Sequence, residues 1–164
     1  MNDPVRAAYA AGLAMLARRE LSEAQVRERL RRKEHPAGAI DAAVGRLKEV
    51  RALDDRRVAL AAARTEAQVR SRGRGYVARR LQSLGIAAEL AEEAVNEVFG
   101  ALDEQELLDR AIARRLRGPS ARIRDAAHFR RLLQQLIRQG FPASRIIAAL
   151  KARAKRDDVP EEEA

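Results

Sequence analysis

Apolar residues along this chain recur at intervals of three and four, the spacing that gathers side chains on one face of an α-helix. Within residues 75–98, Val77, Leu81 and Leu84 share such a face, Gly85-Ile86 interrupts it, and Leu90, Ala91, Ala94 and Val95 form a second stripe. Gly85 suits the left-handed conformation that closes a helix, with Ile86 as the apolar contact just beyond. The pattern predicts helix, tight turn, helix. It occurs twice more: His35 lies 51 residues before Ile86, and Phe141 lies 55 after it. Val26 and Leu30, Val77 and Leu81, and Leu132 and Leu136 stand at matching places ahead of these three. Ile40, Ala43 and Val44, then Ala91, Ala94 and Val95, then Ile146, Ala149 and Leu150 stand at matching places behind them. A period of about 50 residues predicts stacked modules, each too small to bury its own apolar face. The expected fold is all-α: an elongated, curved stack of three tandem three-helix repeats over 1–52, 53–102 and 103–156.

The boundary signals agree with nine helices. Asp3-Pro4 predicts a cap and a first helical turn, with Tyr9, Leu13 and Leu16 facing inward as far as about Arg19. Ser22 and Gln25 have capping-box spacing ahead of Val26 and Leu30. Glu34-His35-Pro36 predicts a turn, after which Ile40, Val44 and Leu47 make the next buried stripe. Asp54 caps a fourth helix expected to run to about Arg70, with Val58, Leu60 and Ala62 inward. The run Arg70-Ser71-Arg72-Gly73-Arg74-Gly75 predicts a basic, flexible joint. Asp103 caps a helix that buries Leu108, Ile112 and Leu116, and Arg117-Gly118-Pro119-Ser120 breaks it. An eighth helix, about 125–139, stops at Gly140, and Pro142 opens the ninth. The acidic tail 157–164 is expected to be disordered.

Composition narrows the core. Aromatics are 3% and Trp is absent, so Leu, Val, Ile and Ala must fill it, as a thin layer of small area per residue. Without cysteine there is no disulfide or thiol chemistry. No apolar run approaches the roughly 20 residues of a membrane span, and the N-terminus lacks the basic-then-apolar layout of a signal peptide. A cytoplasmic location is expected.

The net charge of +9 favours an acidic partner, nucleic acid or an acidic protein surface. Arg outnumbers Lys 29 to 4, so part of the surplus reflects the codon usage of a GC-rich genome on solvated faces. Candidate contacts fall in three places. The joint supplies Arg70, Arg72 and Arg74, with Arg79 and Arg80 on the next helical turns; its glycines would let backbone approach a phosphate, and arginine forks onto phosphate or carboxylate. Arg27, Arg29, Arg31, Arg32 and Lys33 flank the Val26-Leu30 stripe, and Arg130-Arg131 flank that of the eighth helix. Tyr76 alone could stack on a base, so recognition by shape and charge is expected.

Catalytic and metal chemistry find little support. His35 and His128 lack the carboxylate pattern of zinc sites. Asp54-Asp55 is accounted for by backbone amides at a helix start, and the serines have no evident partner base. The R-G-R-G segment lacks the Lys-Ser/Thr ending of a P-loop. No catalytic residue, metal ligand or cofactor is assigned.

Leu53-Asp54-Asp55-Arg56-Arg57-Val58-Ala59, then Arg74-Gly75, Arg80-Leu81 and Leu84-Gly85-Ile86, resemble the RecX family of recombinase regulators. Leu16-Ala17-Arg18-Arg19-Glu20-Leu21-Ser22, continuing to Leu30 and Lys33, is similar to that family's first repeat; Gly140-Phe141 through Ile146 and Leu150 is similar to its last. The resemblance spans about residues 5–155. The family usually has glycine and an aromatic or aliphatic residue where this chain has Glu34 and His35, and an aromatic where Val58 stands. The resemblance implies a non-enzymatic, monomeric modulator. It would lodge in the groove of the RecA filament on single-stranded DNA, with double-stranded DNA a further candidate, and would lower ATPase activity, strand exchange and filament growth. Two other classes compete: a free-standing, sequence-nonspecific nucleic-acid-binding helical repeat, and a scaffold binding another helical protein through an apolar stripe.

Overall fold

The computed structural model describes residues 3–116 and 122–157, and among them every regular element is a helix. In order these are α1 (Pro4–Leu16), α2 (Glu23–Arg32), α3 (Ala37–Glu49), α4 (Asp55–Arg64), α5 (Arg74–Ser83), α6 (Ala88–Gly100), α7 (Glu104–Ala113), α8 (Ala126–Arg138) and α9 (Ala143–Asp157). The expected break at 117–120 and most of the acidic tail lie outside the described residues. Contacts group the chain into two compact units: residues 3–63 with 79–96, and residues 64–78 with the described residues from 97 onward.

In the first unit the caps follow the sequence. Asp3 accepts from the Val5 amide at 3.0 Å. The Ser22 capping box is complete, with the Gln25 amide donating to Ser22 Oγ and the Ser22 amide donating to Gln25 Oε1, each at 3.2 Å. Leu21, Val26, Leu30, Ile40, Val44, Leu47 and Leu53 make the buried cluster. The inward face of α1 differs from expectation. Leu13 is 37% exposed, while Ala8 and Gly12 are buried. A Cβ built at Gly12 would come within 2.7 Å of Leu47 Cδ1, so the two helices meet over small residues. Close approach wins over side-chain size.

The fourth helix also departs. Its α-helical part ends at Arg64, and a π-helical turn, Thr65–Val69, carries it on, the Arg70 amide donating to Thr65 O at 3.2 Å. Val58, Ala59, Leu60 and Ala63 are buried rather than Ala62. In the second unit Leu107, Leu108, Ile112, Leu136, Ile146 and Leu150 are fully buried.

The three turns picked out by the repeat share one geometry. Residues 34, 85 and 140 have φ of 61°, 76° and 88°. The amides of Glu34, Gly85 and Gly140 donate to the carbonyls of Arg31, Gln82 and Ile137 at 2.9 Å in each case. Those of His35, Ile86 and Phe141 donate to Leu30, Leu81 and Leu136 at 3.2 Å. Each is a Schellman closure. Two use glycine at the left-handed position and one uses glutamate, for which that conformation costs about 1–2 kcal/mol. Glu34 is exposed, so little packing is at stake there, and Glu34→Gly should stabilise the chain by about 1 kcal/mol. A urea titration followed by circular dichroism checks it; a midpoint that stays put or falls contradicts the cap assignment.

Candidate functional site

The joint between α4 and α5 is built by backbone, within the second unit. Ser71 takes a left-handed φ of 51°, and the Arg72 amide donates to Glu66 O at 2.9 Å. The Gly73 amide donates to Gln139 O at 2.8 Å, and the Gly75 amide donates to Gly140 O at 3.2 Å. A Cβ at Gly73 would lie 2.5 Å from Gly140 O. The flexibility expected of this joint from sequence is therefore corrected. Gly73 lets one turn of chain touch another, and the Gly73 and Gly75 amides donate to that turn.

The arginines of the joint are engaged there. Arg70 pairs with Glu66 at 2.9 Å. The Arg72 guanidinium lies 4.7 Å from the Tyr76 ring centre, covering one face of the lone candidate stacking ring. Arg74 lies 5.2 Å from the Phe99 ring centre and 3.4 Å from Glu104. Burial, and then the charge of Arg72, push the Arg115 guanidinium below its ordinary pKa. Arginine over a ring gains cation–π attraction when desolvated. These cations hold the fold locally.

In the first unit, α2 carries the second cluster. Arg27 pairs with Asp41 and, at 2.9 Å, with Glu23, and its pKa is raised by Asp41 first and Glu23 second. Arg31 and Arg32 share Glu28, each at 2.9 Å; solvent-exposed pairs of this kind exchange readily. Glu23 is held below its ordinary pKa, chiefly by the Lys48 ammonium. Its amide donates to Asp55 Oδ1 at 2.7 Å, and burial raises the Asp55 pKa. Asp54 accepts from the Arg57 amide at 3.1 Å. Asp54 thus caps its own helix, as the spacing implied, whereas Asp55 meets the first amide of α2.

Arg29 and Lys33 have no carboxylate at salt-bridge distance among the described residues. With Arg32 they line a groove of about 410 Å³ against α1, where Ala11, Ala14 and Met15 make the floor and Arg18, just past α1, completes the lining. Sequence reasoning missed Arg18. Its spacing of four and seven from Ala14 and Ala11 is the signal that places it on the same face. Arg79 and Arg80 are exposed in the first unit, and Arg130 and Arg131 on α8 in the second. Arg130 borders a shallow depression with Ile123, Arg124 and Phe129. Asp125 caps α8 by accepting from the His128 amide at 2.6 Å. That bond, with the Arg131 and Arg124 charges, keeps its pKa low. Among the described residues no three His, Cys, Asp or Glu side chains converge as a metal site would require. No described helix is long and apolar enough to cross a membrane.

A family model, RecX first three-helix domain, matches residues 8–47. The regulatory protein RecX of Streptomyces coelicolor is 32% identical over 140 residues, covering 85% of this chain and 73% of that one. The chain belongs to the RecX family. The RecX regulatory protein of Geobacillus kaustophilus is 36% identical over 152 residues, covering 90% of this chain and 54% of its own length. This chain spans about half the length of its Geobacillus relatives. The crystal structure of RecX from Lactobacillus salivarius superposes with a TM-score of 0.74 at 19% identity, covering 93% of this chain and 99% of that one. The matched RecX domain holds Arg18, Arg29, Arg32 and Lys33, and therefore the whole groove.

Proposed function

We propose that this chain is a non-enzymatic regulator of homologous recombination and DNA repair. It binds the groove of the RecA–single-stranded-DNA filament, contacts DNA, and lowers ATP hydrolysis, strand exchange and filament growth. Membership of the RecX family carries the reading, and a net charge of +9 suits a polyanionic fibre. In this reading residues 1–52, 53–102 and 103–156 act as three modules of a monomer in the cytoplasm. The matching turns at 34, 85 and 140 support that division. Several weak contacts on one chain multiply through effective concentration. DNA contact is assigned to Arg79, Arg80, Arg130 and Arg131, which are exposed, in preference to Arg72 and Arg74, which are half-buried.

Adding the protein to RecA on single-stranded DNA and following ATP hydrolysis tests the reading. Inhibition at near-stoichiometric ratio is expected, and its absence rejects the filament partner. Strong DNA binding without any effect on RecA would favour the free-standing nucleic-acid binder. Alanine at Arg79 and Arg80 should flatten the salt dependence of single-strand affinity by roughly 0.7 log units for each phosphate no longer neutralised. An unchanged slope removes those two residues from the DNA surface.

A further inference from the structure

The α1–α2 groove combines two features that net charge alone would not bring together. Its floor is apolar and built of small or adaptable side chains: Ala11 and Ala14 keep the surface low, and Met15, half-buried, is unbranched and fits irregular partners. Its border is cationic. Arg18 stands at one end of the α1 stripe, Arg29 and Lys33 lie along the facing side of α2, and no acidic residue lines it. Arg32 on the same border is engaged by Glu28 at 2.9 Å, whereas Arg18, Arg29 and Lys33 have no carboxylate at salt-bridge distance among the described residues.

We infer that this groove is a docking site for an acidic peptide segment carrying one apolar anchor, the anchor seated on Ala11, Ala14 and Met15 and its flanking carboxylates on Arg18, Arg29 and Lys33. Charge complementarity selects the acid, and the floor selects the anchor. A nucleic-acid strand fits less well, because no aromatic ring lines the groove to stack a base and phosphates would have to lie over a hydrocarbon floor. A second copy of the chain would bring its own net charge of +9 towards the cations. The volume of about 410 Å³ sits near the small end of the roughly 300–1,000 Å³ common for ligand clefts. It suits one large side chain and its neighbours rather than a folded surface. Docking of this kind needs no recombinase, so the peptide probe is tested without one.

Fluorescence anisotropy of labelled peptides with the full chain decides it. The probe is a short Glu/Asp-rich peptide with a single central leucine; its controls replace that leucine with serine or the acids with their amides. Binding of the leucine peptide is expected, weakened about tenfold or more by removal of the leucine, the scale of one buried aliphatic side chain, and strongly by removal of the acids. The combined variant Arg18→Ala, Arg29→Ala, Lys33→Ala should also weaken it at least tenfold, while Arg79→Ala with Arg80→Ala leaves it unchanged. Equal affinity for the leucine and serine peptides would reduce the site to nonspecific charge and overturn the proposal. So would an unchanged affinity in the triple variant with its helix content intact. A triple variant that loses oligo-dT binding more than peptide binding would reassign the groove to nucleic acid. The probe series on the unaltered protein remains decisive should the triple variant fold poorly.

Discussion

Alanine at Gly140 is expected to destabilise the second unit by about 3 kcal/mol, among the larger effects of any single methyl group. Two penalties add. The backbone there has φ of +88°, which costs a non-glycine residue about 1–2 kcal/mol. The new Cβ would also lie 2.9 Å from Gly73 O and 2.8 Å from Tyr76 Cβ. The nearest obstacles include backbone held by its own hydrogen bonds, so relief requires moving a turn rather than rotating a side chain; overpacking of this kind costs about 1–3 kcal/mol. Gly45→Ala is the opposite case. It lies within α3, exposed, with nothing within 4 Å of an added Cβ, and should gain about 0.5–1 kcal/mol from the better helix former. Urea titrations of the full chain followed by circular dichroism should move the two midpoints in opposite directions. If the Gly140 variant unfolds no earlier than the unaltered chain, the close approach of the two turns is not a structural element.

Ser22→Ala should cost about 2–3 kcal/mol, more than an average cap. The residue is fully buried, and its Oγ serves two partners in the same unit, accepting from the Gln25 amide at 3.2 Å and donating to Leu84 O. Alanine would leave a part-buried amide and a part-buried carbonyl each short of a partner, and leaving a buried group unpaired costs about 1–3 kcal/mol. Gln25→Ala removes only the reciprocal bond to the Ser22 amide, 3.2 Å long, and should cost about 0.5–1 kcal/mol. Thermal melts of the two variants discriminate. Equal shifts would mean that Ser22 is a cap and nothing more, and that its link to Leu84 contributes no stability.

Much of the fold is legible in the sequence, for identifiable reasons. The Asp3 and Asp103 caps, the Ser22–Gln25 box and the closures at Gly85 and Gly140 can be read there because their partners lie within about one helical turn; at Glu34 the sequence marks a turn but not its left-handed form. The buried stripes Val26-Leu30, Val77-Leu81 and Leu132-Leu136 follow from period alone. Leu13 shows where period fails. Both it and Ala8 fit a helix face, and choosing between them requires knowing that α3 approaches closely enough for Gly12 to meet Leu47. The candidate surface is less legible. Arg29, Arg31, Arg32 and Lys33 read alike in a basic run, yet two of them share Glu28 and two do not.

By itself, then, the order of residues determined that this chain is helical, where most helices begin and end, and which family it joins, because those properties reside in local hydrogen bonds and in spacing along the chain. Tertiary structure alone decided which arginines stay open to a partner. Arg72 and Arg74 are taken up by Tyr76, Phe99 and Glu104, while Arg18, just past the end of α1, joins Arg29 and Lys33 of the next helical segment around one groove. A cation's availability depends on the carboxylates and rings that folding brings within a few ångströms, and no period in the sequence carries those distances.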